Sequence, residues 1–426
     1  MSIMKREIVL TAFDLVSPIG VGTDEFWESL TAGKSGVGYS TLVAEDSPNR
    51  PLTAETPDFR PKDYVKPKKN IKVMSRDIQL GLVAAMKAVA KAGISTGFDG
   101  STQTVDPERI GVIFGCDLIG IDITELADAF FAGMKDGVYD YSTWGKEAME
   151  KVMPLWMLKY LPNMPSSHIG IALDARGPNN SPTLDRAAAL ASIDEAAVIL
   201  ENGRADVMIC GGCGNRSNPS FLSRGKSYNL APWTSDPATV PRPFDADRCG
   251  TVLGDGSAAF VLETREFAEA RGAKPIAVLR GFSRVNDPSY ELAAQSGSVS
   301  MSIRAALADA GLTAADLDHV NADGLGTVKD DRAEAAGIAE ALGDLPVYSA
   351  KGHFGNLGSG TGAVELAASF LAMQHGTLPA TLNCAKIADD CPINVVQAPR
   401  AVGKKTFIKI NQTYMGRSNA VIFEMC

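Results

Sequence analysis

The chain lacks the run of roughly 18 uncharged apolar residues that a membrane-crossing helix needs, so no transmembrane segment is expected. Its start, Met1-Ser2-Ile3-Met4-Lys5-Arg6-Glu7, leads into an apolar stretch of only a few residues. That is too short for the apolar core of a secretory signal, and a cytoplasmic protein is the expectation. Positive charge is also in deficit. Lys and Arg number 41 against 50 Asp and Glu, for a net charge of −9, which argues against broad nucleic-acid binding. No Pro-, Gly- or Ser-rich linker divides the 426 residues, so one compact unit is expected. Cysteines are scattered at 116, 210, 213, 249, 384, 391 and 426, and only Cys210-Gly-Gly-Cys213 has metal-ligand or redox spacing. The run Val207-Met208-Ile209-Cys210 reads instead as a buried strand, where a free thiol packs as a small hydrophobe. Neither a metal site nor a cofactor is expected, and reduced thiols suit the cytoplasm.

What the chain does have is alternation. A short apolar run at 8–12 is followed by helical patterns at 24–32 and 78–92 and a strand at 110–114. The second half repeats the order, with strand 277–281, helix 302–310, strand 319–322 and helix 332–342. Such alternation predicts an α/β protein with largely buried sheets. Leu190, Ile193, Ala196, Ala197 and Leu200 give 185–202 a helical period. Gly203 closes that helix, and a strand follows from 205. Two similar halves are predicted, 1–256 and 257–426, meeting where Gly254-Asp255-Gly256 leads into the strand at 258–262. The stretch 117–165 breaks the rhythm and is rich in Met and aromatic residues, among them Phe130, Phe131, Tyr141, Trp144, Trp156 and Met157. It suits a core cap, a pocket wall or an oligomer contact.

Ordered motifs spread along the chain then resemble the β-ketoacyl synthases, nearest to the type II elongation enzymes. They are Thr11-Ala12-Phe13-Asp14-Leu15-Val16-Ser17-Pro18-Ile19-Gly20, Arg242-Pro243-Phe244-Asp245-Ala246-Asp247-Arg248, and Val252-Leu253-Gly254-Asp255-Gly256. Val320–Thr327 and Lys351–Glu365, together with Asn411 and Asn419-Ala420, complete the set. The resemblance implies a thiolase-like fold, two βαβαβαββ halves in five αβαβα layers, normally dimeric.

Both histidines of the family's two histidine motifs are absent. Asp323 matches the first and Asn356 the second. Family members also carry a nucleophilic cysteine at a helix start, where the helix end lowers its pKa. The flanking glycines match Gly177 and Gly211-Gly212, and counting between them places Arg186 at the nucleophile. A shift of one or two residues would place Asp185 or Ala188 there. No cysteine or serine lies between Thr183 and Leu190. Arginine stays protonated and cannot carry an acyl group. An ionised Asp323 would repel an enolate, and Asn356 cannot shuttle protons.

The resemblance matches Lys351 and Glu365 to the retained lysine and glutamate of the second motif. With Arg186 and Asp323 they would form an ion-paired plug, since buried charges must be paired. The gating loop matches Tyr414, Met415, Gly416 and Arg417, with Arg417 replacing a glycine. Thr251 replaces a phenylalanine, and Leu325 replaces the first pantetheine-binding threonine while the second is kept as Thr327. Lys69 and Lys72 fall where the family meets its acidic acyl carrier protein. An exposed basic turn is the plainer account of that pair.

The expectation is a non-catalytic homologue, similar to the chain length factors that pair with an active ketosynthase in type II fatty acid or polyketide pathways. Those carry glutamine where Arg186 falls. An enzyme of altered chemistry using Asp323 and Lys351 on an acyl thioester is an alternative. A homodimeric scaffold that binds acyl groups or the carrier protein is another.

Overall fold

The computed structural model describes residues 6–98, 100–224, 228–287, 292–413 and 415–426, with the side chains of 292–295 left aside. The first half runs β1 (Ile8–Ser17), α1 (Thr23–Thr31), α2 (Arg76–Ala92), β2 (Ile110–Gly115), α3 (Met164–Leu173), β3 (Asn179–Asn180), α4 (Ala188–Glu201), β4 (Val207–Asn215) and β5 (Leu253–Thr264). The second half runs β6 (Ala277–Asn286), α5 (Leu292–Ala310), β7 (Leu317–Asn321), α6 (Val328–Leu342), β8 (Pro346–Tyr348), α7 (Thr361–His375), β9 (Thr406–Gln412) and β10 (Arg417–Met425). With α1 set aside, both halves read βαβαβαββ.

Both sheets place their strands in the same spatial order: first, fifth, fourth, second, third in chain sequence. The first half gives β1-β5-β4-β2-β3 and the second β6-β10-β9-β7-β8. The halves join where β1 pairs with β6 through only Val9–Val278 and Leu10–Ala277.

Three apolar clusters separate the layers. One lies between the sheets, built from α4, α7 and the inward side chains of β1, β9 and β10. The second packs α2 and α3 on the outer face of the first half. The third packs α5 and α6 on the outer face of the second. Strand periodicity decides which side chain goes where. In β9, Phe407 enters the middle layer while Ile408 and Ile410 face α5 and α6. α7 is almost wholly enclosed, with 13 of its 15 residues buried, as a helix covered on two sides must be. α2 starts at Ser75, whose side chain accepts from Ile78 N, and stops at Gly93 with φ 65°. Both are standard helix ends.

The structure sharpens two of these expectations. The division at 256 falls inside β5, which pairs along its length with β1 and β4. Gly254-Asp255-Gly256 is strand, because the glycines let neighbouring backbone come within a Cβ's reach. A Cβ on Gly254 would meet Ala54 O at 2.7 Å, and one on Gly256 would meet Leu357 Cδ1 at 2.9 Å. The second is 117–165, which holds a helix (Ile123–Ala132), a hairpin of two-residue strands and several single turns. It is not core: Phe130, Phe131, Met134, Tyr141, Met149, Met153 and Met157 are all exposed. Among the described residues no helix is long and apolar enough to cross a membrane.

Candidate functional site

The loop ahead of α4, the end of β7, the short helix Lys351–Phe354 and the inward face of β9 converge in the middle of the molecule. Asp185 takes φ 49°, and the chain turns through Asp185–Ala187 into α4. This turn buries the Arg186 side chain. Arg186 Nε lies 2.8 Å from Asp323 Oδ2, and Lys351 Nζ lies 2.9 Å from Asp323 Oδ1. Lys351 Nζ also reaches Glu365 Oε1 at 2.7 Å. Arg186, Asp323, Lys351 and Glu365, brought together from the sequence, thus meet in one cluster.

Sequence reasoning missed a fifth charge. Lys409 Nζ sits 2.7 Å from Glu365 Oε2 and donates to Ala322 O at 3.2 Å. Asn411 Nδ2 bridges the two carboxylates, 3.1 Å from Glu365 and 3.4 Å from Asp323. The signal was there: Phe407-Ile408-Lys409-Ile410 is an apolar strand with one lysine, at the inward register it shares with Phe407. Glu334 was also missed. Its two oxygens accept from the backbone N–H groups of Asp323 and Gly324, both at 2.7 Å, holding that turn from behind.

All five charged side chains of the cluster are buried. Burial by itself pushes the Asp323 carboxyl up, but Arg186, then Lys351 and Lys409, outweigh it and hold it well below the usual carboxylate range. Asp323 is an anion here. Burial pushes Lys409 down, more than the Glu365 and Asp323 charges return, and Asp185 Oδ2 adds a third carboxylate 3.6 Å from Arg186 Nη1. Burial, then the Asp323 charge, pushes Glu334 up to about 8. On the solvent side, Arg216 pairs with Asp117 and lies 3.1 Å from Asp185 Oδ1, while stacking over Phe221. These groups border an outer cavity of about 390 Å³ that also reaches Leu184, Met415 and Arg417.

Asn356 stands apart. Its Oδ1 accepts from Gly358 N at 3.0 Å and Thr361 Oγ1 at 3.3 Å, fixing the start of α7. Among the described residues it makes no hydrogen bond to Arg186, Asp323 or Lys351. Thr327 caps α6, accepting from Asp330 N and donating to Asp330 Oδ2. Of the gating-loop positions, Tyr414 lies outside the described residues. Met415 is exposed, Gly416 has φ 77°, and Arg417 is already the first residue of β10. Backbone bonds from Asp287 N to Gly416 O and from Thr413 N to Arg417 O, both 2.8 Å, tie down this turn. Lys69 and Lys72 are exposed and three apart on a 3₁₀ turn, hence on one side of it. Cys210 and Cys213 are also three apart but on a strand, so they point to opposite faces and enter different apolar clusters. They cannot share a metal ion. Among the described residues no group of His, Cys, Asp and Glu is arranged to hold one.

A doubly wound pair of identical half-folds with a site at their junction defines the thiolase-like class. Residues 5–268 match the β-ketoacyl synthase N-terminal domain and 276–385 the C-terminal domain. The chain belongs to the β-ketoacyl synthase family. It is 31% identical, over 92% of its length and 83% of the relative's, to the actinorhodin polyketide putative β-ketoacyl synthase 1 of Streptomyces coelicolor. It is 29% identical to the tetracenomycin polyketide synthase ketoacyl synthase alpha subunit of Streptomyces glaucescens, over 98% of this chain and 97% of the other. Among solved structures, the ishigamide ketosynthase/chain length factor superposes with a TM-score of 0.85 at 26% identity, covering 99% of this chain and 100% of the other.

Proposed function

We propose that this chain is a non-catalytic ketosynthase homologue that serves, like a chain length factor, as partner subunit of an active β-ketoacyl synthase in a type II fatty acid or polyketide pathway. The observation that carries the reading is the buried contact of Asp323 with both Arg186 and Lys351. Condensation needs a thiolate to hold the acyl chain and neutral imidazoles to stabilise the enolate. Arg186 at the nucleophile position has no lone pair to offer. Asp323 at the first histidine position is a fixed anion whose acceptor oxygens are already taken by cations. Asn356 at the second is committed to the start of α7.

A subunit without chemistry has a role if its surfaces serve a partner. The exposed Met and aromatic side chains of 117–165 give it an apolar face to bury against an active ketosynthase or a second copy of itself. Lys69 and Lys72 give a basic patch for an acidic acyl carrier protein, and Thr327 is the candidate contact for its pantetheine arm. The test is intact-mass spectrometry after incubation with an acyl-carrier thioester, alone and with an active ketosynthase. The chain alone should keep its mass and release no carbon dioxide from a malonyl thioester. A stable acyl adduct within 177–212 would overturn the proposal.

A further inference from the structure

The short helix Lys351–Phe354 contributes Lys351 to the ion cluster, and His353 lines a different space. This second cavity, about 300 Å³, lies between the end of α1 and the chain that follows α7. Leu30, Thr31, Pro379, Ala380 and Leu382 form much of its wall beside His353. The His353 ring is 1% exposed. Its Nδ1 lies 2.9 Å from the carbonyl oxygen of Lys34. A carbonyl only accepts, so Nδ1 carries the proton. Burial pushes His353 down to about 4, so the ring is neutral and Nε2 is a bare acceptor. Among the described residues that Nε2 has no hydrogen-bond partner, and an unmade bond on a buried polar atom is costly. Thr31 Oγ1, a hydroxyl in the same cavity wall, is already used: it donates to the Trp27 and Glu28 carbonyls at 2.9 and 3.1 Å.

We propose that this cavity binds a small neutral molecule with an apolar body and one hydroxyl or N–H group, whose proton the Nε2 of His353 accepts. The volume is at the lower end of the roughly 300–1,000 Å³ of ligand pockets, which suits a single ring. A carboxylate is excluded by chemistry, because it brings only acceptors to an acceptor.

The full chain has four histidines, so their ring nitrogens are separable by ¹⁵N NMR. Titration with p-cresol should shift one Nε2 saturably. Toluene should bind about five- to tenfold more weakly, the worth of one hydrogen bond, and 4-methylbenzoate should not bind. His353→Asn keeps a donor toward the Lys34 carbonyl and removes Nε2, so it should abolish the preference for p-cresol over toluene. Equal binding of p-cresol and toluene overturns the proposal. So does the absence of any shift up to the solubility of p-cresol, the outcome if water alone satisfies Nε2. Should His353→Asn fail to fold, the two titrations of the unmodified chain still decide.

Discussion

Removing Asp323 should damage the protein more than removing the arginine it holds, and the two losses should not add. Asp323 accepts from both Arg186 and Lys351 and is fully enclosed. Asp323→Ala leaves two cations facing each other with only Glu365 between Lys351 and Lys409, and breaking a buried pair costs about 3–5 kcal/mol. Arg186→Met keeps the volume and leaves Asp323 paired with Lys351, so one charged hydrogen bond is lost, about 1.5–3 kcal/mol. In the double variant Lys351 still has Glu365, so a coupling of about 1–3 kcal/mol is expected. Urea unfolding followed by circular dichroism measures all four species, with equal slopes as the check on two-state behaviour. Coupling under about 0.5 kcal/mol would refute the shared-carboxylate account. Acid gives an independent reading. The folded-state pKa of Asp323 is depressed, so its stabilisation is complete above the unfolded value near pH 4 and is lost as pH falls below it. Arg186→Met should therefore flatten the acid limb of the stability curve.

Among the described residues Lys409 pairs only with Glu365, which Lys351 also holds, so Lys409→Met should change stability by less than about 1 kcal/mol near neutral pH, against about 3–5 kcal/mol for Lys351→Met. Because burial lowers its folded-state pKa, the native chain should gain on Lys409→Met as pH rises toward about 10, and paired denaturation curves would show whether it does. The exposed apolar set on 117–165 should make the purified chain a dimer at micromolar concentration, burying more than about 2,000 Å² in all. A well-folded monomer in sedimentation would rule out an obligate self-dimer and leave pairing with an active ketosynthase as the remaining form.

Much of this was legible in the sequence, and the limits have physical causes. Strand and helix order could be read because period-2 and period-3.6 patterns survive in single sequences. The strands were placed but drawn short: 8–12 grows to 17 and 277–281 to 286, since polar residues such as Asp14 and Ser283 are buried inside them and break the apolar signal. The contact of Arg186 with Asp323 followed from the resemblance, which put both in one pocket, and from the cost of leaving a buried guanidinium unpaired. Lys409 escaped because no motif contained it, although a lone lysine two residues after Phe407 in an apolar strand marks an inward charge. The exposure of 117–165 was unreadable, because composition cannot distinguish a core from a surface awaiting a partner.

The glycines along the junction of the halves carry a consequence for variation. A Cβ at Gly212 would meet Ser359 O at 2.3 Å, at Gly214 Leu357 O at 2.1 Å, and at Gly360 Gly256 O at 2.2 Å. Here main chain touches main chain, with no side-chain layer between. Damage in an ordinary core can be repaired by trimming a neighbour, but a carbonyl cannot be trimmed. In a saturation library these positions should form an unbroken line of intolerance crossing both halves, without second-site suppressors. The rest of the interior can drift and recover, and this seam cannot.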